Sequence, residues 1–309
     1  MKKRLTLILI ALLLLSGCAQ EKIDDDTLVI VSSYTIITDM LQQIAEDKIV
    51  IYNLVPTGTD PHEYEPLPKD IKYVSDADLM FYNGVNLEGG ENGWFFKLLK
   101  SVDKDIDQVI NLSEGIEPLY LYEGNETEDM INPHAYLNPK NGIIMVENIL
   151  NALVDKDPTN ENFYKQNAQI YIEKLTTLEN LYRDQFGSLN ENDKTIVTSE
   201  RAFQYMNKEY GIEEGYIWAI DTEETGTAAQ IKELSNFIKE KDVKILFLES
   251  NVDTRPMETV SKETQVPIFK DKVFSDEIGK KGSEVDTYEK LLTHNLSVFM
   301  EGLSEYGSH

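Results

Sequence analysis

The sequence predicts an α/β protein in which two (β/α) lobes, each with a mainly parallel sheet, are joined by a single long rigid helix. Three observations support this fold class. The 309 residues suffice for about two domains of ordinary size. Short β-rich runs alternate with helical stretches in both halves of the chain, and an amphipathic stretch separates the halves.

Apolar runs rich in β-branched and aromatic residues predict the strands of both sheets. They occupy residues 28–31, 49–54 and 79–82 in the first half, and 195–198, 216–220, 245–248 and 266–269 in the second. Helical stretches such as 38–46 and 228–241 lie between them. This alternation is typical of βα units, whose strands run parallel.

The stretch from 159 to 187 predicts the connecting helix. It follows Asp157-Pro158, a helix-start signal, and ends at Gly187, a stop signal. Apolar residues at steps of three and four form one stripe along it: Tyr171, Leu175, Leu178, Tyr182 and Phe186. At about 1.5 Å per residue the helix runs roughly 40 Å. We expect so stiff a spine to limit hinge motion between the lobes.

The composition excludes several classes of function. Lys and Arg number 29 against 55 Asp and Glu, a formal net charge of −26, which repels nucleic-acid phosphates. Cys18 is the only cysteine, so one chain can form neither a disulfide framework nor a thiolate zinc cluster. We therefore expect no nucleic-acid partner and no site built from cysteine pairs.

The amino terminus predicts an exported, lipid-anchored protein. A basic start at 2–4 precedes an apolar run at 5–15 that is too short to span a membrane. The run closes with Leu15-Ser16-Gly17-Cys18, which resembles a bacterial lipobox; a buried free cysteine is the alternative. In such a lipobox the Cys18 thiol receives lipid before the chain is cut in front of it, and we expect this lipid to hold the protein on the outer face of the cell membrane of a Gram-positive bacterium.

These signals divide the chain into five segments. They are a signal peptide at 1–17, the lipidated Cys18 with a flexible spacer at 18–26, an N-terminal lobe at 27–158, the linking helix at 159–187 and a C-terminal lobe at 188–309.

Two of the four histidines lie in proline-rich loops of the first half. His62 follows Asp60-Pro61 just past the predicted strand at 49–54, and His134 follows Asn132-Pro133. Either histidine alone is typical of a hydrogen-bonded loop residue. Together they favour a metal site, because neutral imidazole is the commonest protein ligand of transition metals.

Further ligands in the second half must be carboxylates, because no histidine lies in such a loop there. Glu200 directly follows a predicted strand, and Asp276 follows the apolar run that ends at Phe274. Since the chain has 55 acidic residues, their position at strand ends leaves the choice among them open.

A set of ordered motifs closely resembles the lipoprotein metal-binding subunits of bacterial manganese, iron and zinc ABC transporters, the cluster A-I solute-binding family. The motifs lie at 55–67, 132–138, 198–203, 247–257 and 274–276, and the resemblance extends from the lipobox to the last helix. It implies an ABC permease with its ATPase as partners and one divalent metal ion in the cleft between two lobes. The ligands that it implies are His62, His134, Glu200 and Asp276.

The resemblance favours Mn²⁺ as cargo, with Fe²⁺ as an alternative. In the family, a His as third ligand accompanies zinc and a Glu, here Glu200, accompanies manganese or iron; a carboxylate also makes the site harder. Zinc-dedicated members often carry a His-rich loop, and no His lies between 64 and 133. A zinc-binding member of the same family is the other reading, because zinc outranks manganese in the Irving–Williams order.

Three residues beside the implied ligands depart from the family pattern. Asn132 stands where Asp is usual, Tyr136 where Trp is usual, and Arg201 where Gly is common. These three residues lie beside the implied ligands and so affect the groups that orient the ligands, and not the ligand set itself.

Two other functions compete with transport. A catalytic zinc site usually keeps one position open for water, whereas four protein ligands close it, and the sequence lacks His-Glu-x-x-His, Gly-x-Ser-x-Gly and a glycine-rich phosphate loop. A surface adhesin would be favoured by a large apolar patch or a repeat array, and the sequence shows neither. We expect a monomeric binding protein and no enzyme, with cell adhesion as an open second role.

Overall fold

The computed structural model describes residues 27–122, 127, 130–220 and 226–307. The predicted signal peptide at 1–17 and Cys18 with the spacer at 18–26 lie outside these residues. Among the helices described, none is both long and apolar enough to cross a membrane.

The first lobe is a four-stranded parallel sheet flanked by helices. Its strands are β1 (Leu28–Ser32), β2 (Ile49–Asn53), β3 (Leu79–Tyr82) and β4 (Val109–Asn111), in the spatial order β2-β1-β3-β4. Its helices are α1 (Thr35–Ala45), α2 (Pro68–Asp76) and α3 (Trp94–Ser101). All neighbouring strands run parallel, and Leu28 pairs with Ile49, Ile30 with Leu79 and Met80 with Val109. All four carboxyl ends therefore meet at one edge, where ligands bind in open α/β sheets.

The second lobe has a shorter sheet than predicted. Its parallel strands are β5 (Thr195–Val197) and β6 (Glu213–Gly215), with helices α6 (Gln204–Tyr210), α7 (Ala228–Glu240) and α8 (Thr254–Thr264). The strand expected at 216–220 is wrong: Ser199 O accepts from both Ile217 N (2.9 Å) and Trp218 N (3.1 Å), which interrupts the ladder, and beyond it only the isolated parallel bridge Glu200↔Trp218 forms. The runs at 245–248 and 266–269 pair with each other through one isolated parallel bridge, Leu246↔Ile268.

One long helix, α5 (Glu161–Ser188), connects the lobes and packs against α1, α4 (Pro139–Lys156) and the final helix α9 (Tyr288–Tyr306). The five predicted stripe residues are all buried. The Tyr182 hydroxyl donates to Leu292 O of α9 (2.6 Å) and Asn167 Nδ2 donates to Ile44 O of α1 (3.0 Å). Hydrogen bonds therefore tie α5 to α1 near the start of the chain and to α9 at its end. This arrangement of two parallel α/β lobes and a long connecting helix confirms the predicted fold class.

Candidate metal centre

His62 is held in the loop that follows β2. Its backbone N–H donates to Asp60 Oδ1 (2.7 Å), and the carbonyl of the preceding Pro61 accepts from Trp94 Nε1 (2.8 Å). The prolines limit the conformations of this loop, and Trp94 anchors it to α3. The histidine is only 5% exposed.

His134 lies immediately before a 3₁₀ turn, Ala135–Leu137. Its backbone N–H donates to Asn132 Oδ1 (3.0 Å), and its Nδ1 lies 2.9 Å from the same oxygen. Asn83, directly after β3, donates from Nδ2 to Pro133 O (2.9 Å). The loop is thus tied to the edge of the first sheet, and His134 is fully buried.

Glu200 lies three residues past the end of β5, at the carboxyl edge of the second sheet. The carboxylate of a second buried acid, Glu249, accepts from Ser199 N (3.1 Å) and Glu200 N (2.8 Å). Thr198 Oγ1 donates to Glu200 O (2.7 Å). These bonds determine the backbone of the turn, and both glutamates are fully buried.

Asp276 is presented by a loop that packs on α9. Asn295 of this helix accepts from Phe274 N (2.8 Å) and donates to Phe274 O (2.7 Å). Asn251 Nδ2 donates to Asp276 Oδ2 (2.6 Å), and Ser275 Oγ contacts the same oxygen. Oδ2 of Asp276 is therefore held by Asn251 and Ser275, and its Oδ1 faces the two histidines.

The four predicted residues meet at one point between the lobes. Asp276 Oδ1 lies 3.4 Å from His62 Nε2 and 3.2 Å from His134 Nε2, and Glu200 Oε1 lies 3.6 Å from His134 Nε2. Ligand atoms of His62, His134 and Glu200 all lie within 4.8 Å of one another. Donor atoms about 2.1 Å from a common ion at tetrahedral angles are about 3.4 Å apart, so the observed spacing fits a metal ion.

The electrostatics of the cluster favour the protonation states that bind metal. Burial lowers the pKa of His134 against the opposing effect of Asp276. Burial alone would raise the pKa of Asp276, but its hydrogen bonds to His134 and His62 hold it well below its usual range. The two shifts favour the neutral imidazole and the ionised carboxylate, the forms that metal binding requires.

Two supporting acids were not predicted as parts of the site. The Glu249 side chain accepts from the backbone N–H of Glu200, and burial raises the pKa of Glu249 to about 7. Glu88, fully buried in the first lobe, accepts from Asn83 N (2.7 Å) and Ser33 Oγ (2.7 Å) and so supports the anchor of the His134 loop. Glu249 follows an apolar run just as Glu200 does, which was the available signal; Glu88 has none.

A polar cavity of about 360 Å³ reaches the cluster from outside. It is lined by residues of both lobes, among them Gly58, Asp60, Asn251, Asp276 and Glu277. Gly58 N–H of the His62 loop donates to the Glu277 carboxylate, next to Asp276. The cluster is therefore reached from solvent on the side of the Asp276 loop.

The fold and the site define the class of two-lobed binding proteins that hold a metal ion between parallel α/β lobes joined by a helix. The family model described as "Zinc-uptake complex component A periplasmic" matches residues 30–302. The chain belongs to this family.

Relatives of known name cover nearly the whole chain. The metal ABC transporter substrate-binding lipoprotein SsaB of Streptococcus sanguinis is 45% identical, over 97% of this chain and 98% of its own length. The manganese ABC transporter substrate-binding lipoprotein PsaA of Streptococcus pneumoniae is 45% identical, over 96% of each chain.

Solved structures show the same architecture. A Mn-bound periplasmic metal binding protein from Candidatus Liberibacter asiaticus superposes with a TM-score of 0.79 at 27% identity, over 89% of this chain and 99% of its own. The periplasmic zinc binding protein TroA from Treponema pallidum gives 0.79 at 27% identity, over 89% and 98%.

Proposed function

We propose that this protein is the extracytoplasmic substrate-binding lipoprotein of an ABC importer, which captures one divalent transition-metal ion in the cleft between its lobes and delivers it to the permease. The observation that carries the proposal is the convergence of two imidazoles and two carboxylates from four separate loops at metal-ligand spacing. Because the family is one of transport components, the protein is no enzyme.

The four ligands in this proposal are His62, His134, Glu200 and Asp276, two from each lobe. Their spacing and their burial, at 5% exposure or less, support the assignment. Four protein ligands close a tetrahedral shell without a water molecule. Such a site suits a carrier, which must hold its cargo until it meets its partner.

Manganese is the proposed cargo, with iron as the alternative. Two carboxylates make the site harder than an all-nitrogen set, which moves its preference toward Mn²⁺ and Fe²⁺. Relatives at 44–45% identity are named manganese ABC transporter substrate-binding lipoproteins. Zinc is a second candidate, because two His and two carboxylates also satisfy it and a structural relative is named a zinc binding protein.

The membrane anchor in this proposal is Cys18, which lies outside the described residues. The relatives are named lipoproteins, which supports the lipobox interpretation. The mature body would then comprise a spacer to residue 26, lobes at 27–158 and 188–309, and the linking helix between them. The proposed partners are the permease and its ATPase; a monomeric state and an adhesion role stay predictions.

Delivery in this proposal begins at the Asp276 loop. The loop contacts the first lobe through Glu277 with Gly58 N–H and through Ile278 N–H, which donates to Thr35 Oγ1 (3.2 Å). Because α5 is fastened to both lobes, a small shear that loosens this loop requires less rearrangement than a wide hinge opening. Docking on the permease would break these contacts and release the ion.

Elemental analysis tests the proposal. The chain from Ala19 onward is stripped of metal, equilibrated anaerobically with equal free Mn²⁺, Fe²⁺ and Zn²⁺, and compared with a His62→Ala/Glu200→Ala double variant. His294→Ala is the matched control, because His294 lies on α9 and bonds Lys272 O (2.8 Å). We expect one ion per chain in wild type and control and none in the double variant. Wild-type protein without metal would refute the function.

A further inference from the structure

The side-chain amide of Asn132 has an orientation that two backbone groups determine. His134 N–H, which can only donate, lies 3.0 Å from Asn132 Oδ1, and Arg201 C=O, which can only accept, lies 2.8 Å from Nδ2. Gln204 Oε1 also accepts from Nδ2 (3.0 Å). The oxygen of the amide therefore faces His134 and its nitrogen faces the second lobe.

This orientation determines which nitrogen of His134 carries the proton. Nδ1 lies 2.9 Å from Asn132 Oδ1, an acceptor, so Nδ1 must donate. In the neutral ring the lone pair is then on Nε2. Nε2 is the atom that faces Glu200 Oε1 and Asp276 Oδ1.

We propose that Asn132 is a positioning residue of the metal site, which presents Nε2 of His134 as the ligand and ties this histidine to the turn that carries Glu200. The inference rests on the proposed function and adds to it one residue that contacts no metal. Through its two ends the amide links a ligand of the first lobe with the residue next to a ligand of the second.

Asparagine suits this position because its amide supplies an acceptor to His134 and a donor to the second lobe. An aspartate would keep the acceptor for His134 but would place a second oxygen against Arg201 O and Gln204 Oε1. The amide is itself held in place, since Asn132 O accepts from the Tyr205 hydroxyl (3.0 Å) and Gln204 Nε2 donates to Tyr120 O (3.0 Å). Fully buried and bonded at every polar atom, Asn132 has little freedom to turn.

Three variants separate this role from a general structural one. Asn132→Ala removes both acceptor and donor, and Asn132→Asp keeps the acceptor alone. Asn138→Asp is the matched control: Asn138 is 3% exposed, its Oδ1 accepts from Lys140 N (3.1 Å) and its Nδ2 donates to Tyr205 O (3.4 Å). This substitution therefore also keeps an acceptor and loses a donor to the second lobe, but at a residue that does not contact His134. The control also reports the effect of one added negative charge near the site.

Mn²⁺ affinity is measured by competition with a chelating dye, and ¹⁵N chemical shifts of His134 are measured in Zn²⁺-loaded protein. We expect Asn132→Ala to bind Mn²⁺ about 10- to 100-fold more weakly, as is typical when the partner of a metal-binding His is lost. Asn132→Asp should recover part of that loss, because it keeps the acceptor for His134 Nδ1 and loses the donor to the second lobe. Asn138→Asp should bind Mn²⁺ within a few-fold of wild type. The spectrum of wild type should show Nε2 bound to metal and Nδ1 protonated.

Wild-type affinity in Asn132→Ala, no recovery in Asn132→Asp, or ligation through Nδ1 would overturn the inference. Melting curves of the metal-free variants show which of them fold; if Asn132→Ala does not, the aspartate variant and the wild-type spectrum decide. Wild-type protein that binds no Mn²⁺ would refute the proposed function instead, so the two failures are distinguishable.

Discussion

Replacing Glu88 by Gln should make the stability of the metal-free protein less dependent on pH. Glu88 is buried in the first lobe, and its Oε1 accepts from both Ser33 Oγ and Asn83 N at 2.7 Å. Glutamine has the same shape and keeps this oxygen, so both bonds survive. The substitution therefore removes the ionisation and leaves the bonds from Ser33 and Asn83 in place.

The size of the effect follows from the pKa of this carboxyl group. Burial raises it from about 4.5 to about 7, so the folded protein binds the proton more tightly than the unfolded chain. The resulting stabilisation is complete below about pH 4.5 and is lost as the pH rises through 7. A shift of about 2.5 pH units corresponds to about 3 kcal/mol, at about 1.4 kcal/mol per unit.

Urea unfolding of metal-free wild type and Glu88→Gln at pH 5, 6, 7 and 8 measures the effect. Between pH 5 and 8 the free energy of unfolding of the wild type should fall by about 2–3 kcal/mol relative to that of the variant. All other groups titrate in both proteins and cancel in the difference. Parallel curves for the two proteins would show that Glu88 is not the buried acid described, and the reasoning would be refuted.

Three further predictions concern the metal site and the connecting helix α5. Asp276→Asn removes the carboxylate that both imidazoles face, so calorimetric titration should show Mn²⁺ affinity at least about 100-fold weaker; binding unchanged within a few-fold would contradict it. Affinity should fall as the pH drops below about 6.5, because protons compete for the imidazoles, and burial places the loss at His134 lower still; a flat profile from pH 7.5 to 5 would exclude this competition. Tyr182→Phe removes the buried bond to Leu292 O and should cost about 1–2 kcal/mol in urea unfolding while leaving Mn²⁺ affinity unchanged.

The parts of the fold that follow from local patterns were predictable. The apolar stripe on α5 and the strands β1 to β3 have the periodicity that indicates them. β4, with three partly exposed residues, is too short for such a signal. β6 begins with Glu213 and Glu214, and its place is set by pairing with β5 and not by its own apolar content.

The histidines of the candidate site could be predicted from local sequence patterns, whereas its acidic residues could be predicted only from the family resemblance. His62 and His134 stand out because imidazoles are few and both lie beside prolines. Glu200 and Asp276 belong to 55 acids, so only the family resemblance selected them. The same limit applies to Glu88 and Glu249, whose burial results from packing between segments far apart in the chain.

Anomalous diffraction from crystals of the Mn²⁺-loaded protein, recorded at the manganese absorption edge, tests the central claim most directly. The account predicts one peak per chain, roughly 2 Å from Nε2 of His62, Nε2 of His134 and carboxylate oxygens of Glu200 and Asp276. A peak at another place, or a manganese ion held by fewer than three of these residues, would contradict it.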